Sequence, residues 1–152
     1  MISKSLSTIF QKSVQLAREL RHEVLTIEHV FYLVISSEEG EQIINEAGGN
    51  SKNIQQKIYE YITTQIEPLP EDIHADPFES VALARVIDTM IKHIQSSSQS
   101  SAEIGDFIVS IYDEKHSYAY KTLQEEDISR LDILEVISHK EYTAEERKTT
   151  LS

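Results

Sequence analysis

Residues 21–35 read RHEVLTIEHVFYLVI, and residues 98–112 read SQSSAEIGDFIVSIY. Each is a polar link followed by a short, heavily apolar helix. In the first, Thr26 is placed to cap the helix and Glu28 sits in its first turn, where a carboxylate meets the helix dipole favourably. In the second, Ile104, Phe107, Ile108, Ile111 and Tyr112 stand 77 positions after Ile27, Val30, Phe31, Val34 and Ile35. Backwards, the same offset pairs Leu6 with Leu83, Ile9 with Val86, Phe10 with Ile87, Val14 with Ile91 and Ala17 with Ile94. Forwards, it pairs Ile43 with Tyr120 and Ile54 with Leu131. Unrelated amphipathic hairpins would lose this register at the first loop. The pattern predicts an all-α fold of eight helices, a tandem pseudo-twofold repeat of a four-helix unit.

Working outward, Ile2 to Leu20 recur at helical spacing as a first helix. Glu38–Ala47 forms a third, with Gly48 as its left-handed cap, and residues 51–65 a fourth. Residues 66–76 (IEPLPEDIHAD) break the pattern and are expected to be an exposed connector. The fifth helix is expected to open with Asp76 as cap, Pro77 in the first position and Glu79 at capping-box spacing. Val81, Leu83, Ala84, Val86, Ile87, Met90, Ile91 and Ile94 are its expected buried face. Three more helices are expected near Glu103–Tyr112, Lys115–Glu125 and Ser129–His139. This divides the chain into repeat one (1–65), connector (66–76) and repeat two (77–140). The polar stretch 141–152 is expected to fray as the start of a flexible linker.

The chain has 152 residues, of which 39% are apolar, enough for a real core. Its 14 Lys+Arg against 26 Asp+Glu give a net charge of −12. Such a balance opposes general binding to nucleic-acid phosphates or anionic lipid. The longest apolar run, Val30–Ile35, is far too short to span a membrane. There are no cysteines and no leader-like N-terminus, so a cytoplasmic protein is the expectation. Four glycines and three prolines favour helices, and neither a P-loop nor a dinucleotide fingerprint is present.

No catalytic constellation stands out. His22, Glu23, Glu28 and His29 invite a metal reading, but H-E-x-x-H fails because position 26 is Thr. Glu28 and His29 are neighbours, and on a helix their side chains diverge by about 100°. The reading preferred here is a helix junction with a surface histidine and a capping acid. His74, His93, His116 and His139 have no visible partners, and no nucleophile elbow occurs. No catalytic, metal or cofactor site is expected. Arg85, Thr89 and Lys92 lie on the polar side of the fifth helix, and Arg130 opens the eighth. In so acidic a chain they are candidates for a partner's acids, with intrachain ion pairing as the competing reading.

Arg21-His22-Glu23 followed by Thr26-Ile27-Glu28-His29 and large aliphatics resembles the amino-terminal domains of Clp/Hsp100 AAA+ unfoldases. His93-Ile94-Gln95-Ser96-Ser97, Ser129-Arg130-Leu131-Asp132 and Val136-Ile137-Ser138-His139 resemble the ClpA branch in particular. The resemblance covers about residues 1–140. It implies a binding domain tethered to a hexameric ATPase ring above a ClpP-type protease. Such a domain docks the ClpS adaptor, which delivers N-degron substrates, and can touch protein substrates directly. By matched position the resemblance implies that Glu23, Arg85, Thr89, His93 and Arg130 face the adaptor. The family carries a basic residue where Thr89 stands, so that contact is altered. The ATPase motifs of such proteins lie outside these residues, so the domain is expected neither to hydrolyse ATP nor to cut peptides. The alternative is a stand-alone Clp-N-like peptide- or effector-binding module; a third reading is a small metal-dependent hydrolase.

The acidity is uneven. Residues 1–65 hold six cations and eight acids; residues 66–152 hold eight cations and 18 acids. Arg85 and Arg130 are therefore scarce cations among acids, suited to recognition by a protein partner.

Overall fold

Ser3 and Ser80, 77 positions apart, open the two repeats in the same way. The Ser3 hydroxyl accepts the Leu6 amide at 3.2 Å, and the Ser80 hydroxyl accepts the Leu83 amide at 3.0 Å. Each satisfies donors that a helix start leaves free. The helices they cap are α1 (Lys4–Glu19) and α5 (Val81–Ser96), equal in length. The computed structural model describes the backbone of residues 1–151 and the side chains of residues 1–140. After α1 come β1 (Val24–Leu25), α2 (Ile27–Ser36), α3 (Glu38–Glu46), α4 (Ser51–Thr64) and β2 (Phe78–Glu79). After α5 come α6 (Ile104–Ile111), α7 (Tyr118–Glu125) and α8 (Arg130–Leu151). The all-α repeat of eight helices is what the register implied.

The repeats interlock through exchanged backbone strands. β1 pairs in parallel with β2, and the Ser80 amide donates to the Leu25 carbonyl at 2.9 Å. Ile2 bridges Ala102 in parallel, and the Ser3 amide donates to the Ala102 carbonyl at 2.9 Å. The two joints are mates under the offset of 77. Each repeat's entry strand thus pairs with the other repeat's link between first and second helices. Arg21 (φ 58°) and Ser98 (φ 60°), also 77 apart, take the same left-handed turn after α1 and α5.

The central helix is α2, whose Ile27, Val30, Phe31, Val34 and Ile35 are all buried. It packs on α1, α3 and α4 of its own repeat and on α5, α6 and α7 of the other. Its mate α6 is equally buried, through Phe107, Ile108 and Ile111. Burying each such side chain contributes about 1.5–3 kcal/mol, which is why these two short helices anchor the offset of 77.

Several expectations are corrected. The offset of 77 does not persist beyond α6. The loop before α7 is longer than its counterpart, and the left-handed caps Gly48 (φ 101°) and Asp127 (φ 57°) lie 79 apart. Ile54, fully buried, therefore matches buried Ile133 rather than Leu131, which is 61% exposed. Ile43 likewise aligns with buried Thr122 rather than half-buried Tyr120. The fifth helix starts at Ser80, not Asp76, because Phe78 and Glu79 are drawn into β2. Val81 is 74% exposed and Ala84 is exposed, so neither belongs to the buried face. α7 begins after Ser117, not near Lys115. The connector is exposed, as expected, but tied down. Leu69 donates its amide to the Arg21 carbonyl at 2.7 Å, and Asp76 pairs with Arg18 at 2.8 Å. The backbone of α8 runs to Leu151, past the helix end expected near His139. No Gly or Pro interrupts that stretch, and its Ala, Glu, Lys, Arg and Leu residues favour a helix. The linker expected at 141–152 lies outside the described side chains.

Candidate protein-docking face

Arg85, Thr89 and His93 follow one another at four-residue steps along α5, so they share one side of that helix. The start of α8 approaches the far end of this row. There Ser129 and Asp132 exchange capping bonds: the Ser129 amide donates to Asp132 Oδ2 at 2.8 Å, and the Asp132 amide to Ser129 Oγ at 3.1 Å. This capping sets Arg130 in the first turn of α8. Arg130 and His93 line one cavity of about 270 Å³ together with Met90, Asp106 and Leu134. Arg130 also lines a wider depression of about 550 Å³ with Tyr112, Lys115, Tyr120 and Asp127. It stands at the meeting of the two.

The candidate cations differ in how free they are. Arg85 is held by Glu114 through two contacts, Nη2 to Oε1 at 2.7 Å and Nε to Oε2 at 3.0 Å. Lys92 pairs with Asp88 at 2.8 Å within α5. For both, intrachain pairing is what the structure shows. Arg130 has no ion pair among the described residues. Glu23 lies just before β1, where its carbonyl accepts the Phe78 amide at 3.0 Å, two residues ahead of the Ser80 cap of α5. Thr89 is half-buried between Arg85 and His93. Sequence reasoning missed Glu114 because it lies in the lengthened loop before α7, where repeat one offers no template.

The histidines at the joint between α1 and α2 also needed correction. His22 and His29 are buried, not on the surface. His29 Nδ1 accepts the Thr26 amide at 3.0 Å, so that nitrogen carries no proton. His29 therefore donates through Nε2, which lies 2.8 Å from His22 Nδ1. Burial, with His22 adding a smaller effect, lowers the His29 pKa to about 4; burial also lowers that of His22. Glu28 turns the other way, as the helical divergence required. Its Oε2 accepts the Ala119 amide at 2.9 Å, at the start of α7. Burial raises the Glu28 pKa, and the hydrogen bonds it accepts act against that. Among the described residues no three His, Cys, Asp or Glu converge to hold a metal.

The family of the Clp repeat (R) N-terminal domain matches residues 1–126. The chain belongs to the Clp N-terminal domain family. A ClpA homolog protein of Fuscovulum blasticum is 25% identical to it over 138 residues. That match takes in 90% of this Clp N-terminal domain and 17% of the relative, so the chain spans a small part of the relative's length. The N-domain of ClpV from Vibrio cholerae superposes with a TM-score of 0.74 at 15% identity, covering 91% of this chain and 83% of that one. The Hsp104 N-terminal domain from Candida albicans gives 0.74 at 13% identity, covering 89% and 87%. These likenesses establish the shared fold. Among the described residues, no helix of this Clp N-terminal domain is long and apolar enough to cross a membrane.

Proposed function

We propose that this Clp N-terminal domain is a docking module without catalysis of its own, carried by a cytoplasmic ClpA-type unfoldase. It takes a ClpS-type adaptor, and protein substrates, on the face formed by α5 and the start of α8. The attached ATPase ring then passes substrates to a ClpP-type protease. The observation that carries this reading is Arg130. It opens α8 at the positive end of the helix dipole, where a cation is disfavoured by about 0.3–1 kcal/mol. It also has no ion pair among the described residues in a chain of net charge −12. A partner's carboxylate would relieve that arrangement, and His93 and Lys115 beside it add donors. The ClpA homolog among the relatives supports the branch.

The test is amide-shift mapping of the labelled domain with its cognate ClpS-type adaptor. Shifts centred on Thr89, His93 and Arg130 support the reading. Shifts confined to α3 and α4, or none at tens of micromolar adaptor, contradict it. The reading frame after residue 152 checks the parent protein, since an unfoldase requires a G-x-x-x-x-G-K-[ST] loop there.

A further inference from the structure

The pseudo-twofold repeat builds the joint between its first and second helices twice, with different chemistry. In repeat one, His29 accepts the Thr26 amide at 3.0 Å and meets His22 at 2.8 Å. The positions 77 residues later are Glu103, Asp106 and Gln99. There Asp106 Oδ2 accepts the Glu103 amide at 2.8 Å and the Gln99 side-chain amide at 3.0 Å. The bonding pattern is the same: the third helical residue caps its own helix and holds the residue just after the left-handed turn. Gln with Asp is sufficient for the joint, so the fold does not require imidazoles there.

We propose that the His22–His29 pair makes the repeat-one joint an acid-sensitive latch, which opens β1 from β2 while the Gln99–Asp106 joint stays closed. The hydrogen bonds require one proton on each ring. A second proton on His29 would set Nδ1–H against the Thr26 amide, donor against donor. A second proton on His22 would set Nδ1–H against His29 Nε2–H. Among the described residues, the Thr26 hydroxyl, 2.8 Å from His29 Nδ1, is the one oxygen bonded to that ring, and no carboxylate is paired with either imidazole. Arg18 of α1 is engaged with Asp76, Lys57 of α4 with Glu125 of α7, and Arg85 of α5 with Glu114. Glu28 of α2 is committed to the start of α7, and Asp106 of α6 to its own cap. Neither Glu23 beside His22 nor the acids of α3 (Glu38, Glu39, Glu41 and Glu46) form an ion pair with either ring among the described residues, and His22 adds to the lowering at His29. Both histidines titrate below the ordinary value of 6.5 when folded. The latch is therefore fully formed above about pH 6.5 and weakens as pH falls toward 4. His22 lies two residues before β1; Glu23, just before the strand, and Leu25, within it, accept the Phe78 and Ser80 amides. Opening the latch therefore frees the strand that leads into α5.

The test is hydrogen exchange of the full 152-residue chain, read as protection factors at pH 7.5 and pH 5.5. The Phe78 and Ser80 amides should lose protection about tenfold, the proton-linkage value for a single histidine. The Ser3 and Ala102 amides at the mate joint should keep theirs. A double variant, His22→Gln with His29→Asp, transplants the repeat-two pair, and Phe78 and Ser80 should then hold their protection at pH 5.5. Equal loss at both joints in the wild type, or an unchanged loss in the double variant, would overturn the proposal.

Discussion

The Glu28 carboxylate of α2 accepts the backbone amide of Ala119, ninety-one residues along the chain, at 2.9 Å in the interior. One side chain thereby caps the start of a helix in the other repeat. Removing it should leave a buried amide unpaired, at about 1–3 kcal/mol. Glu28→Ala is thus expected to destabilise the domain by that amount in urea unfolding. Glu28→Gln keeps an acceptor oxygen and discards the charge that burial penalises. Because the folded pKa is raised above 4.5, the wild type loses stability as pH rises through that folded value. The Gln variant should therefore gain on the wild type between pH 4.5 and 7. A cost equal to that of the Ala variant at pH 7 would contradict the capping role.

The slipped register is tested by neighbouring residues. Ile133 is fully buried and Leu131 is 61% exposed. Ile133→Ala should cost about 2–5 kcal/mol, and Leu131→Ala less than about 0.5 kcal/mol. The reverse order in thermal or urea unfolding would restore the uniform offset of 77.

Gly40 lies against the backbone carbonyl of Val34, where an added Cβ would strike the oxygen. Backbone there cannot yield as a flexible side chain would. Gly40→Ala is expected to cost at least about 3 kcal/mol, beyond the usual overpacking range. Gly105→Ala should cost about 1–3 kcal/mol, because its Cβ would meet the Ile137 side chain at 2.5 Å and that chain can move. Equal unfolding midpoints for the two variants would contradict this packing.

The repeat was legible because Leu6 and Leu83, or Phe31 and Ile108, are buried by the same geometry in each half, and burial leaves a periodic trace. The strand exchange was not legible. Phe78 and Glu79 pair through their backbones, and both side chains remain exposed, so no apolar pattern marks them. The burial of His22 and His29 was hidden too, since a neutral imidazole in the interior has no compositional signature. Of the expected docking residues, Arg85 and Thr89 followed from helical spacing and Arg130 from its scarcity as a cation, whereas Glu23 and His93 came only from the resemblance. The bidentate hold of Glu114 on Arg85 depended on a loop that the repeat does not template.

That hold has a consequence for binding. Arg85 must exchange Glu114 for a partner's acid if it takes part in docking. Glu114→Gln should release it and tighten adaptor binding several-fold, whereas Asp88→Asn, which frees only Lys92, should change affinity less than twofold. A Glu114→Gln variant that binds no better would confine Arg85 to a structural role.

The most direct measurement is calorimetric titration of the cognate ClpS-type adaptor into the wild-type domain and into Arg130→Glu, both with unchanged circular dichroism. The account predicts saturable one-to-one binding by the wild type and at least a tenfold weaker affinity for the variant, about 1.4 kcal/mol. Wild-type affinity retained by Arg130→Glu, or no binding by the wild type at tens of micromolar adaptor, would contradict it.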